Sequence, residues 1–173
     1  DPGRMWCQGS RISRRHRRIN ERINELKNKR LTMGNKTFAI IKPDAVKAGN
    51  TGKIYDRIIQ SGFDILSAQL LKLSEEQAKG FYAVHHERPF FGDLIEFMTS
   101  GPCMVLALQK DNAVESWRKT IGATNPQDAE ENTIRKDFAS NVQENAVHGS
   151  DSDENAQKEI AFFFSDSELL SDQ

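Results

Sequence analysis

Apolar and polar residues along positions 33–173 are arranged as buried strands that alternate with amphipathic helices. Continuous apolar runs at residues 37–41 and 103–108 predict strands that are buried on both faces. Residues 63–73 alternate between apolar and polar side chains, which predicts another strand. A fourth short strand is predicted just before His148. Together these segments indicate a small sheet.

Helices are predicted where apolar residues recur every three or four positions. Ser74 and Gln77 have the chemistry of a capping box, so a helix is expected to begin there. The order β-α-β-α-α-β-α-β-α matches a ferredoxin-like split βαβ unit. We therefore expect an α+β fold, a ferredoxin-like antiparallel sheet with helices packed on it. The helical segments are residues 51–60, 74–84, 91–98, 112–119 and 155–163.

The pattern loosens over residues 121–139. Gly122, Asn125 and Pro126 mark a long loop, which precedes a short helical turn near residues 134–137. Long loops inside compact domains are usually functional. This loop is therefore a candidate functional element.

Charge divides the chain into two physically different segments. Residues 1–32 carry ten Lys and Arg against three Asp and Glu, a net charge of +7, whereas residues 33–173 carry 14 against 22, a net charge of −8. The basic segment contains few apolar residues, and their spacing allows one weak helical stripe. The residues of this stripe are Ile12, Ile19, Ile23 and Leu26.

Two interpretations of residues 1–32 stay open. A basic arm of this kind can contact nucleic acid or anionic lipid. We favour a leader that does not belong to the working domain, because Met33-Gly34-Asn35 resembles a translation start. In either case we expect the segment to be disordered or loosely helical. We therefore divide the chain into an N-terminal extension, residues 1–32, and one domain, residues 33–173.

Cysteine content and hydropathy indicate an intracellular protein. Cys7 and Cys103 are isolated, so they form neither a disulfide framework nor a zinc-binding spacing. No apolar run approaches the roughly 20 residues that a membrane-spanning helix needs, and no apolar signal-peptide core follows the basic start. We expect a cytoplasmic protein.

The strongest chemical signal is the run from Asn145 to Ser152, which reads NAVHGSDS. His148 follows a short apolar pair and precedes Gly149, whose backbone can adopt turns that other residues resist. An exposed imidazole that is held in one tautomer can act as a nucleophile and carry a phosphoryl group. The two serines and the aspartate that follow can supply orienting hydrogen bonds and a helix cap. The run is therefore a candidate catalytic segment.

Other short motifs precede this run in a specific order. They are Lys42-Pro43-Asp44, Arg88-Pro89-Phe90-Phe91, Gly122-Ala123-Thr124-Asn125-Pro126 and Thr133-Ile134-Arg135. Each motif is weak alone, but in this order and spacing they resemble the nucleoside diphosphate kinase family over residues 34–165, and the short C-terminal end is similar to that of short bacterial members. The resemblance implies that the terminal phosphate of a nucleoside triphosphate, mainly ATP, moves to a nucleoside diphosphate by a ping-pong mechanism with Mg²⁺ and a phosphohistidine.

The resemblance assigns the reacting group to His148. It implies that Glu159 hydrogen-bonds this imidazole, helped by Ser150, and fixes its tautomer, as carboxylates that hold an imidazole do elsewhere. Lys42 and Tyr82 match positions that help to hold the transferred phosphate, and Lys42 also reaches the ribose. These residues form the expected catalytic set.

Phosphate binding is expected from Arg118, Thr124 and Arg135, which match the family positions that contact the nucleotide's phosphates. Arginine suits this role because its planar fork donates two bonds at once and stays charged. The resemblance further implies Mg²⁺ as the cofactor. It is expected to be held mainly by the nucleotide's phosphates and by water, without a set of protein ligands.

Sugar and base contacts are also implied by the resemblance. Asn145 matches the residue that bonds the sugar hydroxyl. Phe90 matches the residue that stacks on the base, Val142 the apolar contact on its other face, and Leu94 lies near them. Stacking recognises the π-face of a base and not its hydrogen-bond pattern, so all nucleobases are expected to be accepted.

Self-assembly is implied as well, because members of this family generally form oligomers. We expect a hexamer, with a tetramer or a dimer as alternatives. The loop around Asn125 and Pro126 contacts neighbouring subunits in many members.

Two other functions stay open. One is a nucleic-acid-binding protein that uses the basic arm, and the other is a regulatory protein that keeps the catalytic residues without using them. Nucleic acid is the less favoured partner, because the domain is acidic and the predicted strands carry no aromatic pair of the kind that RNA-binding sheets expose.

Overall fold

Residues 14–32 and 34–170 are described in this computed structural model, and the polypeptide divides into two units, residues 1–33 and 34–173. In the first unit, helix α1 runs from Arg14 to Thr32. Ile19, Ile23 and Leu26 are exposed along this helix. The expectation of disorder or loose helix for residues 1–13 lies outside the described residues.

The second unit is built on a four-stranded antiparallel sheet. Its strands are β1 (Lys36–Ile41), β2 (Asp64–Leu71), β3 (Cys103–Gln109) and β4 (Val147–Gly149), in the spatial order β2-β3-β1-β4. In the pairing of β1 with β4, Ile40 lies opposite His148. The prediction of an α+β fold with an antiparallel sheet is confirmed.

Helices connect these strands and pack on both faces of the sheet. The predicted segment 74–84 is a shorter helix that ends at Phe81 and is followed by a 3-10 turn, Ala83–His85. The helices of this unit are α2 (Pro43–Lys47), α3 (Thr51–Gln60), α4 (Glu75–Phe81), α5 (Phe91–Met98), α6 (Ala113–Ile121), α7 (Ile134–Phe138) and α8 (Asp153–Phe163), and a second 3-10 turn spans Asp166–Glu168.

Helix α2 was not predicted from the sequence. The pattern indicated only that Pro43 ends the first strand, whereas Pro43 also occupies the first position of α2. A proline is well tolerated there, because the N–H that it lacks would have no partner inside the helix. The chain therefore turns into a short helix directly after β1.

Two hydrophobic clusters lie on opposite faces of the sheet, because alternate side chains of each strand point to opposite faces. Phe38 and Ile40 of β1 belong to the cluster under α4, α5 and α8. Ala39 and Ile41 belong to the cluster that includes residues of α3, α6 and α7. Burial on both faces explains why the first and third strands are continuous apolar runs.

Candidate active site

His148 lies in the middle of β4, and its ring points to the face of the sheet that α4 and α8 cover. The ring meets Phe38 at a centroid distance of 6.1 Å and Phe81 at 5.6 Å. Its Nε2 is in direct hydrogen-bonding contact with Oε1 of Glu159 on α8. The side chain of His148 keeps 21% of its surface exposed and that of Glu159 keeps 16%. The imidazole is therefore oriented by a carboxylate and still accessible.

A cavity of about 300 Å³ opens beside this ring. Tyr82 and His85 line it from the end of α4 and the turn that follows, and Asp151, Lys158 and Glu159 line it from the other side. A ligand in this cavity would reach the imidazole.

A second cavity of about 510 Å³ adjoins the first, since Gly149 and Asp151 line both. Arg118, Thr124 and Arg135 line the second cavity. The three residues expected to bind phosphate are thus brought together next to β4, the strand of His148. Arg118 is exposed, whereas Arg135 is buried.

Buried Arg135 is held by the backbone. Its Nη1 donates to the carbonyl of Gly122 and its Nη2 to the carbonyl of Val147, each at 3.0 Å. Burial, and then the neighbouring charge of Arg118, lower the pKa of Arg135 to about 10. The guanidinium still carries its charge at neutral pH, and it links the loop after α6 to the strand of His148.

Lys42 follows the last residue of β1 and is also buried. Its Nζ donates to Oδ1 of Asn145 at 2.7 Å, and Nδ2 of Asn145 donates to the carbonyl of Thr124 at 3.3 Å. Burial, and then the charge of Arg135, lower the pKa of Lys42 to about 8, and the charge of Asp44 partly opposes them. Lys42, Asn145 and Thr124 therefore form one connected polar chain.

Ser150 bonds to β1, and the phenol oxygen of Tyr82 is buried beside the first cavity. The hydroxyl of Ser150 accepts from the backbone N–H of Phe38 at 3.3 Å and lies 3.4 Å from its carbonyl, so it bonds β1 and not Glu159. The phenol oxygen of Tyr82 is buried without a hydrogen-bond partner among the described residues. Burial raises the pKa of this phenol, and the nearby groups of Cys103 and Glu159 add to the effect.

The residues expected to hold the base lie on an exposed rim. Phe90 keeps 50% and Val142 54% of its surface exposed, while Leu94 is half-buried one turn along α5 from Phe90. Nε2 of Gln143, next to Val142, donates to the carbonyl of Asp93 on α5 at 3.5 Å. The loop that carries Val142 therefore reaches the helix that begins after Phe90.

Comparison with known proteins decides the family. The sequence model of the nucleoside diphosphate kinase family matches residues 35–169. A curated nucleoside diphosphate kinase from Pelobacter propionicus is 56% identical over 135 residues, which cover 78% of this chain and 98% of the relative. One from Geotalea daltonii is 54% identical with the same coverage. The chain belongs to the nucleoside diphosphate kinase family.

Solved structures of nucleoside diphosphate kinases have the same fold. The enzyme from Aquifex aeolicus matches with a TM-score of 0.77 and 44% identity, over 79% of this chain and 99% of its own. A halophilic enzyme from Halobacterium salinarum, in complex with CDP, matches with a TM-score of 0.77 and 36% identity, over 81% and 93%. Nucleoside diphosphate kinases transfer the terminal phosphate of a nucleoside triphosphate to a nucleoside diphosphate, and this transfer is the activity of the chain.

Two residues of this kinase site were missed by the analysis of the sequence. Trp117 on α6 donates from its indole N–H to the carbonyl of His148, and Asp44 on α2 accepts from the backbone N–H of Ala146. Asp44 was part of a quoted motif but received no role. Trp117 precedes Arg118 and reads as an ordinary core residue of an amphipathic helix, so the sequence carried no signal for it.

Within residues 14–32 and 34–170, no group of three or more His, Cys, Asp or Glu is placed to hold a metal ion. None of the helices in those residues is both long and apolar enough to cross a bilayer.

Proposed function

We propose that the kinase works by a ping-pong mechanism in which Nδ1 of His148 carries the phosphoryl group. The observation that carries this proposal is the contact between Nε2 of His148 and Glu159. A neutral ring that donates from Nε2 to the carboxylate keeps its lone pair on Nδ1. Glu159 is thus assigned the role of fixing the tautomer, as carboxylates do for other catalytic imidazoles.

Each half-reaction moves one phosphoryl group. In the first, the Nδ1 lone pair bonds to the terminal phosphorus of the triphosphate, the bond from phosphorus to the bridging oxygen breaks, and the diphosphate leaves with that electron pair. In the second, a terminal phosphate oxygen of another nucleoside diphosphate bonds to the phosphorus, and Nδ1 recovers its electron pair. The ring needs no proton transfer at Nδ1 in either step.

Three cations support the assignment of the phosphate-binding residues. The charge of Arg118 contributes to the lowered pKa of Arg135, and Arg135 contributes to the lowered pKa of Lys42. Like charges that repel one another in the free protein are stabilised when an anion binds near them. We assign Lys42, Arg118 and Arg135 to the phosphates, together with Thr124, which lines the same cavity as the two arginines.

The remaining substrate contacts follow from the exposed rim and the polar chain. We assign the base to Phe90, Val142 and Leu94, and the sugar hydroxyl to Asn145, whose amide Lys42 holds. The halophilic relative in complex with CDP supports a diphosphate nucleotide as ligand. Ser150 is assigned to fixing β4 on β1, and Tyr82 is assigned to the wall of the cavity near the transferred phosphate.

Mg²⁺ is the cofactor that we propose. Membership of the nucleoside diphosphate kinase family supports a divalent cation, and we assign it to the nucleotide's phosphates and to water. Mg²⁺ commonly keeps several waters and binds through substrate phosphates, whose charge it neutralises.

A homo-oligomer is proposed, with a hexamer favoured over a tetramer. Strand β2 lies at one edge of the sheet and pairs with β3. Leu170 covers one backbone group of this edge, but Leu70 further along keeps 58% of its surface exposed. A long edge strand with an exposed leucine favours pairing with another copy. Light scattering after size exclusion would measure the assembly, and a monomer would contradict it.

Residues 33–173 are proposed as the catalytic domain and residues 1–32 as an extension outside it. The match of the family to residues 35–169 supports this division. A chain that begins at Met33 should keep full activity, and steep salt-dependent nucleic-acid binding that is lost with residues 1–32 would favour the basic-arm alternative. The predicted cytoplasmic location would be checked by cell fractionation.

Labelling with ATP that carries a radioactive terminal phosphate tests the covalent intermediate. The wild-type protein should acquire an acid-labile, base-stable label, and His148→Ala should acquire none. ³¹P NMR of the labelled protein should place the phosphoryl group on Nδ1. An unlabelled wild type, or turnover in His148→Ala equal to that of wild type, would overturn the proposal.

A further inference from the structure

We propose that Asp44 is a positioning residue that holds the turn at Asn145 and Ala146 and thereby places both the sugar-binding amide and the nucleophile. This inference rests on the proposed roles of Asn145 and His148. Asp44 does not touch the reacting atoms, so its effect would pass through the backbone that precedes β4.

The turn before β4 has an unfavourable backbone. Ala146 is fully buried and adopts a φ of +69°, in the left-handed region that residues with a side chain rarely occupy. It lies two residues before His148 and directly after Asn145. Residues in such conformations persist only where their surroundings impose them, and they cluster at functional sites.

The segment that follows β1 imposes this conformation. The N–H of Ala146 donates to Oδ2 of Asp44 at 3.1 Å, and its carbonyl accepts from the N–H of Lys42 at 2.8 Å. Nζ of Lys42 holds the side chain of Asn145. Both polar backbone groups of Ala146 are therefore fixed by two residues that are about a hundred positions away in sequence, and Asp44 is the one that does so through its side chain.

A simple helix-capping role does not account for Asp44. It lies in the first turn of α2, where an acidic residue is favourable, but that helix has only five residues. Its second carboxylate oxygen, Oδ1, is buried without a hydrogen-bond partner among the described residues. Burial raises the pKa of this carboxyl. The hydrogen bond from Ala146 is the largest effect that opposes it, followed by the charge of Lys42 and by the backbone N–H groups of Ala45 and Asp44 at the start of α2. Lys42 and the first amides of α2 therefore help to offset the cost of burying this carboxylate, but the bond from Ala146 is the one that reaches the turn before β4.

Asp44 also faces the charge of Lys42. Its carboxylate raises the pKa of Lys42, whereas burial and Arg135 on α7 lower it. Loss of the negative charge should therefore move the pKa of Lys42 below about 8. Loss of the hydrogen bond should instead release the turn. These two consequences separate when the carboxylate is replaced by an amide or by a methyl group.

Asp44→Asn and Asp44→Ala are the test variants, and Glu75→Gln is the matched control. The amide oxygen of Asn can still accept from Ala146, whereas Ala cannot. Glu75 is likewise an acid in the first turn of a helix, but it is exposed and pairs with Lys79. The measurement is the rate of His148 phosphorylation per site that can be labelled, so that unfolded protein does not contribute.

Asp44→Ala should lower this rate by about 10- to 100-fold, because small misplacements of reacting groups have effects of that size. Asp44→Asn should stay within about threefold of wild type at pH 7, since its hydrogen bond is kept, and the alkaline limb of its kcat/KM profile should move to lower pH. Glu75→Gln should match wild type in both measurements. The proposal would be overturned if Asp44→Ala had the wild-type rate per site. It would also be overturned if Asp44→Asn were as slow as Asp44→Ala and its alkaline limb had not moved.

Ala146→Gly tests the backbone directly, because glycine adopts positive φ without strain. The double variant Asp44→Ala with Ala146→Gly should be phosphorylated at least about threefold faster than Asp44→Ala alone. No recovery would overturn the proposal. If Asp44→Ala does not fold, the rate per site of Asp44→Asn still tests the proposal, because a loss of much more than threefold with the hydrogen bond kept would overturn it. Failure of the wild type to become labelled would instead refute the covalent mechanism, so the two failures can be told apart.

Discussion

The indole N–H of Trp117 donates a hydrogen bond to the backbone carbonyl of His148 at 3.1 Å. The indole also packs against Gly149, where an added Cβ would come within 2.9 Å of the ring. Trp117 is fully buried on one face of the sheet, while the imidazole points to the other. The backbone of His148 is therefore supported by a core side chain on the opposite face of the sheet.

Trp117→Phe should impair both stability and turnover. It removes the N–H and leaves the His148 carbonyl without that partner, so the unfolding free energy should fall by about 1–3 kcal/mol. Phosphorylation of His148 should slow by about tenfold. Denaturant unfolding and single-turnover labelling would measure the two effects. Phe63→Leu is the control, because Phe63 packs edge-on against Trp117 at 5.6 Å; it should lower stability and leave the rate per site unchanged. Equal rates in both variants would contradict the role of the indole.

Gly122→Ala should be strongly destabilising. Gly122 has a φ of +87°, and a Cβ there would lie 2.6 Å from Oγ1 of Thr133. Strain and overlap together should lower the unfolding free energy by about 2–4 kcal/mol. Gly52→Ala in α3 is the control, since a Cβ there meets nothing within 4 Å; it should raise stability by up to about 1 kcal/mol. Similar effects of the two substitutions in denaturant titrations would contradict this reasoning.

Lys42 should set an alkaline limb in the pH dependence of kcat/KM. Its pKa is about 8, and its cationic form is the one expected to hold phosphate. The cation is present below that pKa and is lost above it, so kcat/KM should fall as the pH rises through about 8. Lys42→Arg should be slower but should lack this limb, because a guanidinium stays charged. An identical limb in Lys42→Arg would show that another group titrates. Cys103 is excluded as that group, because burial raises its pKa to about 11.

Phe90→Ala should weaken the binding of all nucleotides to a similar extent. Stacking on an aromatic ring contributes about 1–3 kcal/mol per base and depends little on which base is present. KM should therefore rise by similar factors for purine and pyrimidine diphosphates, with kcat nearly unchanged. The ratio of the two factors within the same variant is the internal control. A selective loss of one base class would contradict recognition by stacking.

Chelation of divalent cations should abolish turnover without destabilising the fold. The proposed Mg²⁺ is held mainly by the nucleotide's phosphates and by water, so its removal should take no ligand away from the folded chain. EDTA should stop phosphate transfer and leave the unfolding temperature unchanged, and added Mg²⁺ should restore the activity. A clear drop in unfolding temperature would indicate a structural metal instead.

Local patterns explain why much of the fold could be predicted from the sequence. Residues 51–60 and 91–98 were predicted as helices with the bounds that the structure has, because their apolar spacing is a property of the segment itself. The capping box of Ser74 with Gln77 is present as expected. The short helix after Pro43 was missed, because five residues are too few for a periodic pattern to be recognised.

The sequence by itself determined the alternation of strands and helices and the family motif around His148, since both are written in neighbouring residues. Only the tertiary structure decided what holds the backbone on either side of that histidine. Asp44 and Ala146 are 102 residues apart, Lys42 and Asn145 are 103 apart, and Trp117 reaches the backbone of His148 across 31 residues. Such contacts form when β4 pairs with β1 and α6 packs on the sheet. Burial at that junction also lowers the pKa of Lys42. No local pattern encodes them, because they depend on how distant segments pack together.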